Sequence, residues 1–270
     1  MTQSLPEEMA IPGFSLDAFS LAGRTAIVSG GSDGIGRMIA HGFADAGANV
    51  VVAARGPEKI ESVVAEIEAK GHAALGVPTD VTDPDAVRAL VERTLERFGQ
   101  VDILMNVVGG SQGPTFKRGL LLDLTKEDFN EAFNINVTSA FLCSQAVVPH
   151  MLERGSGVII NMASIGARDY RLPEPGMSVY NMTKAAVMHL TRSMAKEWAP
   201  PVRVNCINAG HFITPRRART EHPDRRARSL AEIQIGRFGT PEDIAGAAVF
   251  MASDAGAFFN GSYLDLHGGT

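Results

Sequence analysis

A doubly wound, parallel α/β sheet of seven strands is the fold class this sequence predicts. Three observations predict it. Apolar runs alternate with helix-period segments from residue 21 to the end. The strand-like runs are nearly continuous in apolar residues, as expected where both faces of a sheet are covered. Repeated strand–helix units joined by right-handed crossovers make a parallel sheet with helices on both sides.

Each element has its own signal. Arg24–Ser29 is a short apolar strand, and Ile35, Ile39 and Phe43 then fall four apart on one helix stripe. Asn49–Ala54 carries three valines and reads as the second strand. Ile60, Val63, Val64 and Ile67 mark an amphipathic helix that stops at Gly71. Ala73–Val77 is a weaker strand. Asp83-Pro84 opens a helix with Val87, Leu90, Val91, Leu95 and Phe98 on its buried face. Val101–Asn106, Gly157–Met162, Val202–Ile207 and Ser262–Leu266 supply the remaining strands. Helices are expected over 125–153, 178–198 and, after Thr240-Pro241, over 241–253. Residues 1–20 read as an N-terminal extension and 21–270 as one domain. Within that domain the arginine-rich stretch 211–238 is expected to form an inserted helical lid.

Composition narrows the function. The hydrophobic fraction of 45% and charged fraction of 20% fit a folded domain. Twenty-five basic and 30 acidic residues leave a net charge of −5, which argues against nonspecific nucleic-acid binding. Cys143 and Cys206 form neither a metal spacing nor a disulfide framework, so no metal is expected. No apolar run approaches the ~18 residues of a membrane span, and the N-terminus lacks a signal pattern. The expectation is a soluble, cytoplasmic protein without membrane partners. Glycine, at 28 of 270 residues, exceeds the roughly 7% of an average chain. That excess points to places where backbone must turn sharply or approach something closely.

The first such place is Ser29-Gly30-Gly31-Ser32-Asp33-Gly34-Ile35-Gly36, between the first strand and the first helix. A strand-to-helix turn aims unpaired backbone N–H groups and the positive end of a helix dipole at one spot, which suits a pyrophosphate. Gly30 allows the tight turn, Gly34 lets backbone approach the ligand, and Gly36 lets the helix pack on the strand. Ser32, Asp33 and Ile35 complete the candidate cofactor loop. An acidic residue at the end of the second strand would hold the adenosine ribose hydroxyls and select NAD. Here the strand ends Ala53-Ala54-Arg55, and Arg55 has the donor fork that matches a 2′-phosphate. Asp33 opposes that charge unless a neighbour neutralises it. NADP(H) is the favoured cofactor, with NAD(H) the alternative.

The second place is Tyr180-Asn181-Met182-Thr183-Lys184, which starts a helix sixteen residues after Ser164 at the end of a strand. With the glycine loop, this pattern resembles the short-chain dehydrogenase/reductase family over about residues 19–270. The resemblance implies a Rossmann fold and hydride transfer between a nicotinamide cofactor and a carbonyl or alcohol. Tyrosine and lysine four apart share a helix face. The ammonium is expected to lower the phenol's pKa and make Tyr180 an acid/base near neutral pH. By the same resemblance Ser164 binds the substrate oxygen, and Lys184 also bonds the nicotinamide ribose. Asn136 holds a water in a proton relay to the lysine. Asp80-Val81 meets the adenine, while Gly210, Phe212 and Thr214 close over the nicotinamide. The family's Asn-Asn-Ala-Gly run appears as Asn106-Val107-Val108-Gly109: Asn106 keeps its sheet role, and Val108 is a candidate cofactor contact.

Other departures are Ala209-Gly210 for the usual Pro-Gly and His267 for the usual Asp before Gly268-Gly269. Arg168, Tyr170, Arg171, Pro173 and Pro175 are expected to shape the pocket mouth. Tyr170 has Glu174, not lysine, four residues on. Arg216, Arg217, Arg219, Arg225, Arg226 and Arg228 form either an anion-binding lid or a solvated helix surface. The leading expectation is an NADP(H)-dependent carbonyl reductase or alcohol dehydrogenase. Alternatives are an NAD(H)-dependent alcohol dehydrogenase, a 3-ketoacyl-thioester reductase, a reductase of enoyl thioesters, and a non-catalytic nucleotide sensor. Family members usually pack through the helices at 125–153 and 178–198, which implies a homotetramer.

Overall fold

A computed structural model describes residues 13, 15–168, 174–214, 218 and 222–270. Its strands are β1 (Thr25–Ser29), β2 (Asn49–Ala54), β3 (Ala74–Pro78), β4 (Ile103–Asn106), β5 (Gly157–Ser164), β6 (Val202–Ala209) and β7 (Tyr263–Leu266). They form a single parallel sheet in the order β3-β2-β1-β4-β5-β6-β7. The helices are α1 (Gly34–Asp45), α2 (Pro57–Ala69), α3 (Pro84–Phe98), α4 (Lys126–Phe133), α5 (Ser139–Arg154), α6 (Ser178–Glu197), α7 (Pro223–Glu232) and α8 (Pro241–Ala252). Each expected strand is present, with its ends moved by at most two residues.

Period-two geometry explains why β1 and β2 read as unbroken apolar runs. Side chains on a strand alternate between faces, and here each face has its own core. Val28, Val50 and Val52 join Ile39, Phe43, Ile244 and Met251 on the side of α1 and α8. Ile27 and Val51 join Val87, Leu90, Val147 and Met151 on the side of α3 and α5. Both faces exclude water, so neither set of positions tolerates polar residues.

The strand order reverses between β1 and β4, which opens a crevice at the carboxyl ends of these strands. Two backbone features shape its floor. Gly30 has φ +73°, and a Cβ there would stand 3.3 Å from Val108. At Gly36 the constraint is space: a Cβ would lie 2.1 Å from the Gly30 carbonyl oxygen. Gly36→Ala is therefore expected to push α1 off the loop and destabilise the chain by about 2–4 kcal/mol. Urea unfolding measures this, and a loss below about 0.5 kcal/mol would contradict the packing role.

One expectation needs correction. The sequence reads as a single helix over 125–153, but a π-helical stretch, Asn134–Thr138, separates α4 from α5. Of the stretch expected to form a lid, α7 is helical, while 215–217 and 219–221 lie outside the described residues. Most of the expected extension, 1–12 and 14, also lies outside them. Among the described residues no helix is long and apolar enough to cross a membrane.

Candidate active site

The glycine loop lies where the fold places a ligand. Asp33 is the N-cap of α1, and its Oδ1 accepts the Gly34 N–H at 2.7 Å. Its Oδ2 forms an ion pair with Lys59 from the first turn of α2. Ser32 is half-buried beside it, and Ile35 turns its side chain onto the core. Thr214, from the segment after β6, comes over the loop: a Cβ on Gly34 would lie 3.4 Å from its methyl. Arg55 is exposed at the end of β2. Asp80 is near enough to feel its charge and accepts from the Thr82 N–H (3.0 Å) and hydroxyl (2.7 Å). These bonds to Thr82, and secondarily Arg55, hold the Asp80 carboxyl below its ordinary range. Val81 is buried.

The second cluster lies at the ends of β5 and α6. Ser164 lies close enough to Tyr180 to favour its ionised form. The Ser164 Oγ also accepts the Gly166 N–H at 3.2 Å, which occupies a lone pair and leaves its proton to donate outward. Lys184 is 2% exposed, and its Nζ donates to the Met162 carbonyl at 3.0 Å. That Nζ lies 5.9 Å from the centre of the Tyr180 ring.

The expected lowering of the phenol's pKa is not found here. Burial pushes Tyr180 above its ordinary value, and the nearby Ser164 offsets this only in part. The lysine is spent on Met162 and is itself held down to about 8 by burial. Its titratable neighbour, the Cys206 thiol, is pushed up to about 12 by burial and stays neutral.

Asn136 is buried on the π-helical stretch. Its Oδ1 accepts the Gly110 N–H at 2.9 Å, and its Nδ2 donates to the Gly110 and Ala132 carbonyls at 2.9 Å. The side chain thus clamps the loop after β4 and has no donor left for a water relay. A Cβ on Gly109 would lie 2.5 Å from Asn136 Oδ1 and 2.7 Å from Lys184 Nζ, so bare backbone brings these groups to one floor.

Three other expected residues take narrower positions. Asn106 is buried, and its Nδ2 reaches the Asn161 Oδ1 at 2.9 Å and the Ser144 hydroxyl at 3.1 Å. Phe212 turns its ring into the core against Gly239, so only its backbone faces the crevice side of that segment. Gly210 is tight against His267, whose Nδ1 accepts the N–H groups of Gly269 (3.1 Å) and Thr270 (2.9 Å). His267 therefore fastens the end of the chain. Tyr170, Arg171 and Pro173 at the expected pocket mouth lie outside the described residues.

Sequence reasoning missed Lys59 and Asn161. Lys59 sits four residues after Arg55 on a first helical turn, and that spacing was the available signal. Asn161 is a polar residue in the middle of an apolar strand. Its Nδ2 donates to Thr191 on α6 at 3.0 Å, which ties the helix that carries Tyr180 and Lys184 to the sheet.

A phenol near a serine hydroxyl, over a buried amine and beside a phosphate-type loop, is equipped to move a proton next to a bound nucleotide. That is the work of an α/β dehydrogenase or reductase. The chain belongs to the short-chain dehydrogenase/reductase family, and a family model described as enoyl-(acyl carrier protein) reductase matches residues 30–270. It is an oxidoreductase of the alcohol–carbonyl class. It is 36% identical to the gluconate 5-dehydrogenase of Gluconobacter oxydans (strain 621H) over 255 residues, which is 94% of this chain and 96% of that one. The structure of a 7α-hydroxysteroid dehydrogenase complexed with NADH and 7-oxo glycochenodeoxycholic acid superposes with a TM-score of 0.88 at 35% identity, covering 95% and 98% of the two chains. A gluconate 5-dehydrogenase from Burkholderia cenocepacia J2315, in complex with NADP and tartrate, gives 0.85 at 34% identity, with coverage of 94% and 97%.

Proposed function

We propose that this chain interconverts a carbonyl compound and its secondary alcohol with NADP(H), using Tyr180 as the acid/base. The observation that carries the reading is that Ser164, at the end of β5, and Tyr180 are close enough for the serine to favour the phenolate, with Lys184 one helical turn beyond Tyr180. The residues present fit a dinucleotide. The loop from Gly30 to Gly36 packs as bare backbone at the N-terminus of α1, Thr214 faces Gly34 across it, and Arg55 offers a guanidinium at the end of β2. Relatives with NADH and with NADP are both known, so the preference for NADP(H) rests on Arg55.

When bound, the nicotinamide supplies or accepts the hydride at the substrate carbon. The chain's own residues manage the oxygen. Ser164 donates to it and holds it against Tyr180. In reduction the Tyr180 Oη proton passes to that oxygen, and in oxidation Oη takes it back. Lys184 would place positive charge near the phenol as it ionises and would bond the ribose. Asn136 holds Gly110 and so fixes the floor. Gly30, Ser32, Asp33, Gly34, Ile35 and Gly36 line the pyrophosphate side, largely through backbone. Asp80 and Val81 would hold the adenine. Asn106, Val108, Gly210, Phe212 and Thr214 would hold the nicotinamide end. Phe129 and Phe141, apolar yet exposed on α4 and α5, support a homotetramer through that face.

Of the lid arginines described, Arg225 pairs with Glu174 at 3.7 Å and Arg226 stacks over Phe238. These contacts favour a structural lid over an anion site. A cofactor-oxidation screen tests the proposal. NADPH and NADH are each offered with ketones, aldehydes, ketoacids, steroids, 3-ketoacyl thioesters and enoyl thioesters. Turnover of a carbonyl, faster with NADPH, is the expected result. Activity on enoyl thioesters alone would overturn it in favour of the function the family model's description names.

A further inference from the structure

The turn after β7 is folded on a histidine. His267 stands where the family usually has an aspartate before Gly268-Gly269. Its Nδ1 accepts the N–H groups of Gly269 at 3.1 Å and Thr270 at 2.9 Å, with the Thr270 hydroxyl 3.2 Å away. An N–H group can only donate, so Nδ1 must offer a lone pair, and the ring is neutral with its proton on Nε2. Two segments rest on the turn so formed. On one side a Cβ on Gly210 would lie 2.6 Å from the His267 Cβ, and the Gly210 N–H donates to the Leu266 carbonyl at 2.9 Å. On the other, the chain leaving α7 donates from the Ile235 N–H to the Gly268 carbonyl at 3.1 Å. Gly268 and Gly269, at φ +71° and +87°, bring bare backbone against Ile233 and Gln234.

We propose that His267 is a positioning residue for the site: its neutral ring folds the seat shared by the Gly210–Thr214 segment and the foot of α7, and protonation of the ring loosens both. The inference rests on the reading above that Gly210, Phe212 and Thr214 hold the nicotinamide end. An imidazolium carries protons on both nitrogens and accepts neither backbone N–H, and histidine changes charge between about pH 5 and 8. A carboxylate at this position would keep accepting throughout that range. Among the described residues, the titratable and charged groups that line the small cavity beside the ring are His211, from the segment after β6, and the Arg237–Asp243 pair. Asp265, on β7 itself, is tied to Asn208 at 2.6 Å and to Arg168 at 3.4 Å. The hydrogen bond from Arg237 holds the Asp243 carboxyl far below its ordinary range, so it stays ionised in mild acid. His211 is therefore the group to separate from His267.

The test uses the cofactor-free chain and needs no turnover. At pH 8 the nitrogen-15 spectrum of the His267 ring should show the proton on Nε2; a proton on Nδ1 would overturn the proposal. Hydrogen exchange, expressed as protection relative to the intrinsic rate at each pH, then follows the Gly210 and Ile235 amides. In wild type their protection should fall about tenfold between pH 8 and pH 5.5, as for the loss of about one hydrogen bond. In His267→Asp it should stay within about twofold, and in His211→Gln the wild-type fall should persist. A fall of the same size in His267→Asp, or its loss in His211→Gln, would assign the effect to another group and overturn the proposal. Calorimetric titration with NADP⁺ links the seat to the site: between pH 8 and pH 5.5 affinity should weaken about tenfold more in wild type than in His267→Asp. Equal weakening would overturn the positioning role. No binding of NADP⁺ at pH 8 would instead overturn the NADP(H) reading, with NAD⁺ then the probe for His267.

Discussion

Tyr180→Phe is expected to lower kcat by about 10²–10⁴-fold, the range for losing a positioned acid/base, while cofactor affinity stays within about twofold. The substitution keeps the ring, so the packing of α6 on β5 is preserved. It removes the Oη proton and the group that faces Ser164. The side chain is half-buried, so stability is expected to change by no more than about 1 kcal/mol. Stability and binding thus report an intact site while turnover collapses. The pH dependence has a definite sign. Burial holds the phenol above its ordinary range, so the acid form dominates through neutral pH. Reduction needs that acid form and should fall only as the phenol titrates in alkali, whereas oxidation should rise there. Stopped-flow turnover and cofactor fluorescence titration measure the two halves. A variant that keeps a tenth or more of wild-type kcat removes Tyr180 from the role.

The fold and the reacting groups were legible for the same reason: each is written in short-range spacing. Seven apolar runs stand out because both sheet faces are buried, as the alternation of Ile27 and Val28 between two cores illustrates. Tyr180 and Lys184 share a face because four residues make about one helical turn. What stayed hidden depends on contacts between distant residues or on backbone irregularity. The π-helical stretch at Asn134–Thr138 spans only five residues, too short a window for hydrophobic periodicity to separate it from the α-helices on either side. The partners of Asn136 follow from that stretch and were equally invisible. The Lys59–Asp33 pair spans 26 positions and two elements. Phe212 reads as a crevice residue by resemblance, yet Gly239 opens a slot that draws its ring into the core. The phenol's pKa was misjudged because sequence spacing places the ammonium on the same face but does not show that Met162 claims it.

Lys184→Met is expected to abolish turnover and at the same time make the cofactor-free chain more stable. An ammonium that is 2% exposed and held by a single carbonyl bond lacks most of its solvation. Its pKa of about 8, against an ordinary 10.5, corresponds to a penalty on the order of 3 kcal/mol for the charged form. Methionine fills nearly the same volume without charge. It leaves the Met162 carbonyl unpaired, which takes back about 1–2 kcal/mol, so a net gain of about 1–2 kcal/mol remains. The pH window follows from the two states. Between about 8 and 10.5 the unfolded chain binds a proton that the folded chain has lost, and stability from this group rises with pH across that range. Below 8 both states are protonated and the penalty is complete; above 10.5 it vanishes. The advantage of the variant should therefore be largest below pH 8 and fade toward pH 10.5 in urea unfolding. A variant less stable than wild type at pH 7, or an advantage that grows with pH, would show that Lys184 is not under strain. The strain has a use if Lys184 does the work proposed for it. A poorly solvated ammonium gains more from the developing phenolate and a ribose hydroxyl than a solvated one would, so stability lost in the empty site returns as interaction in the reacting one.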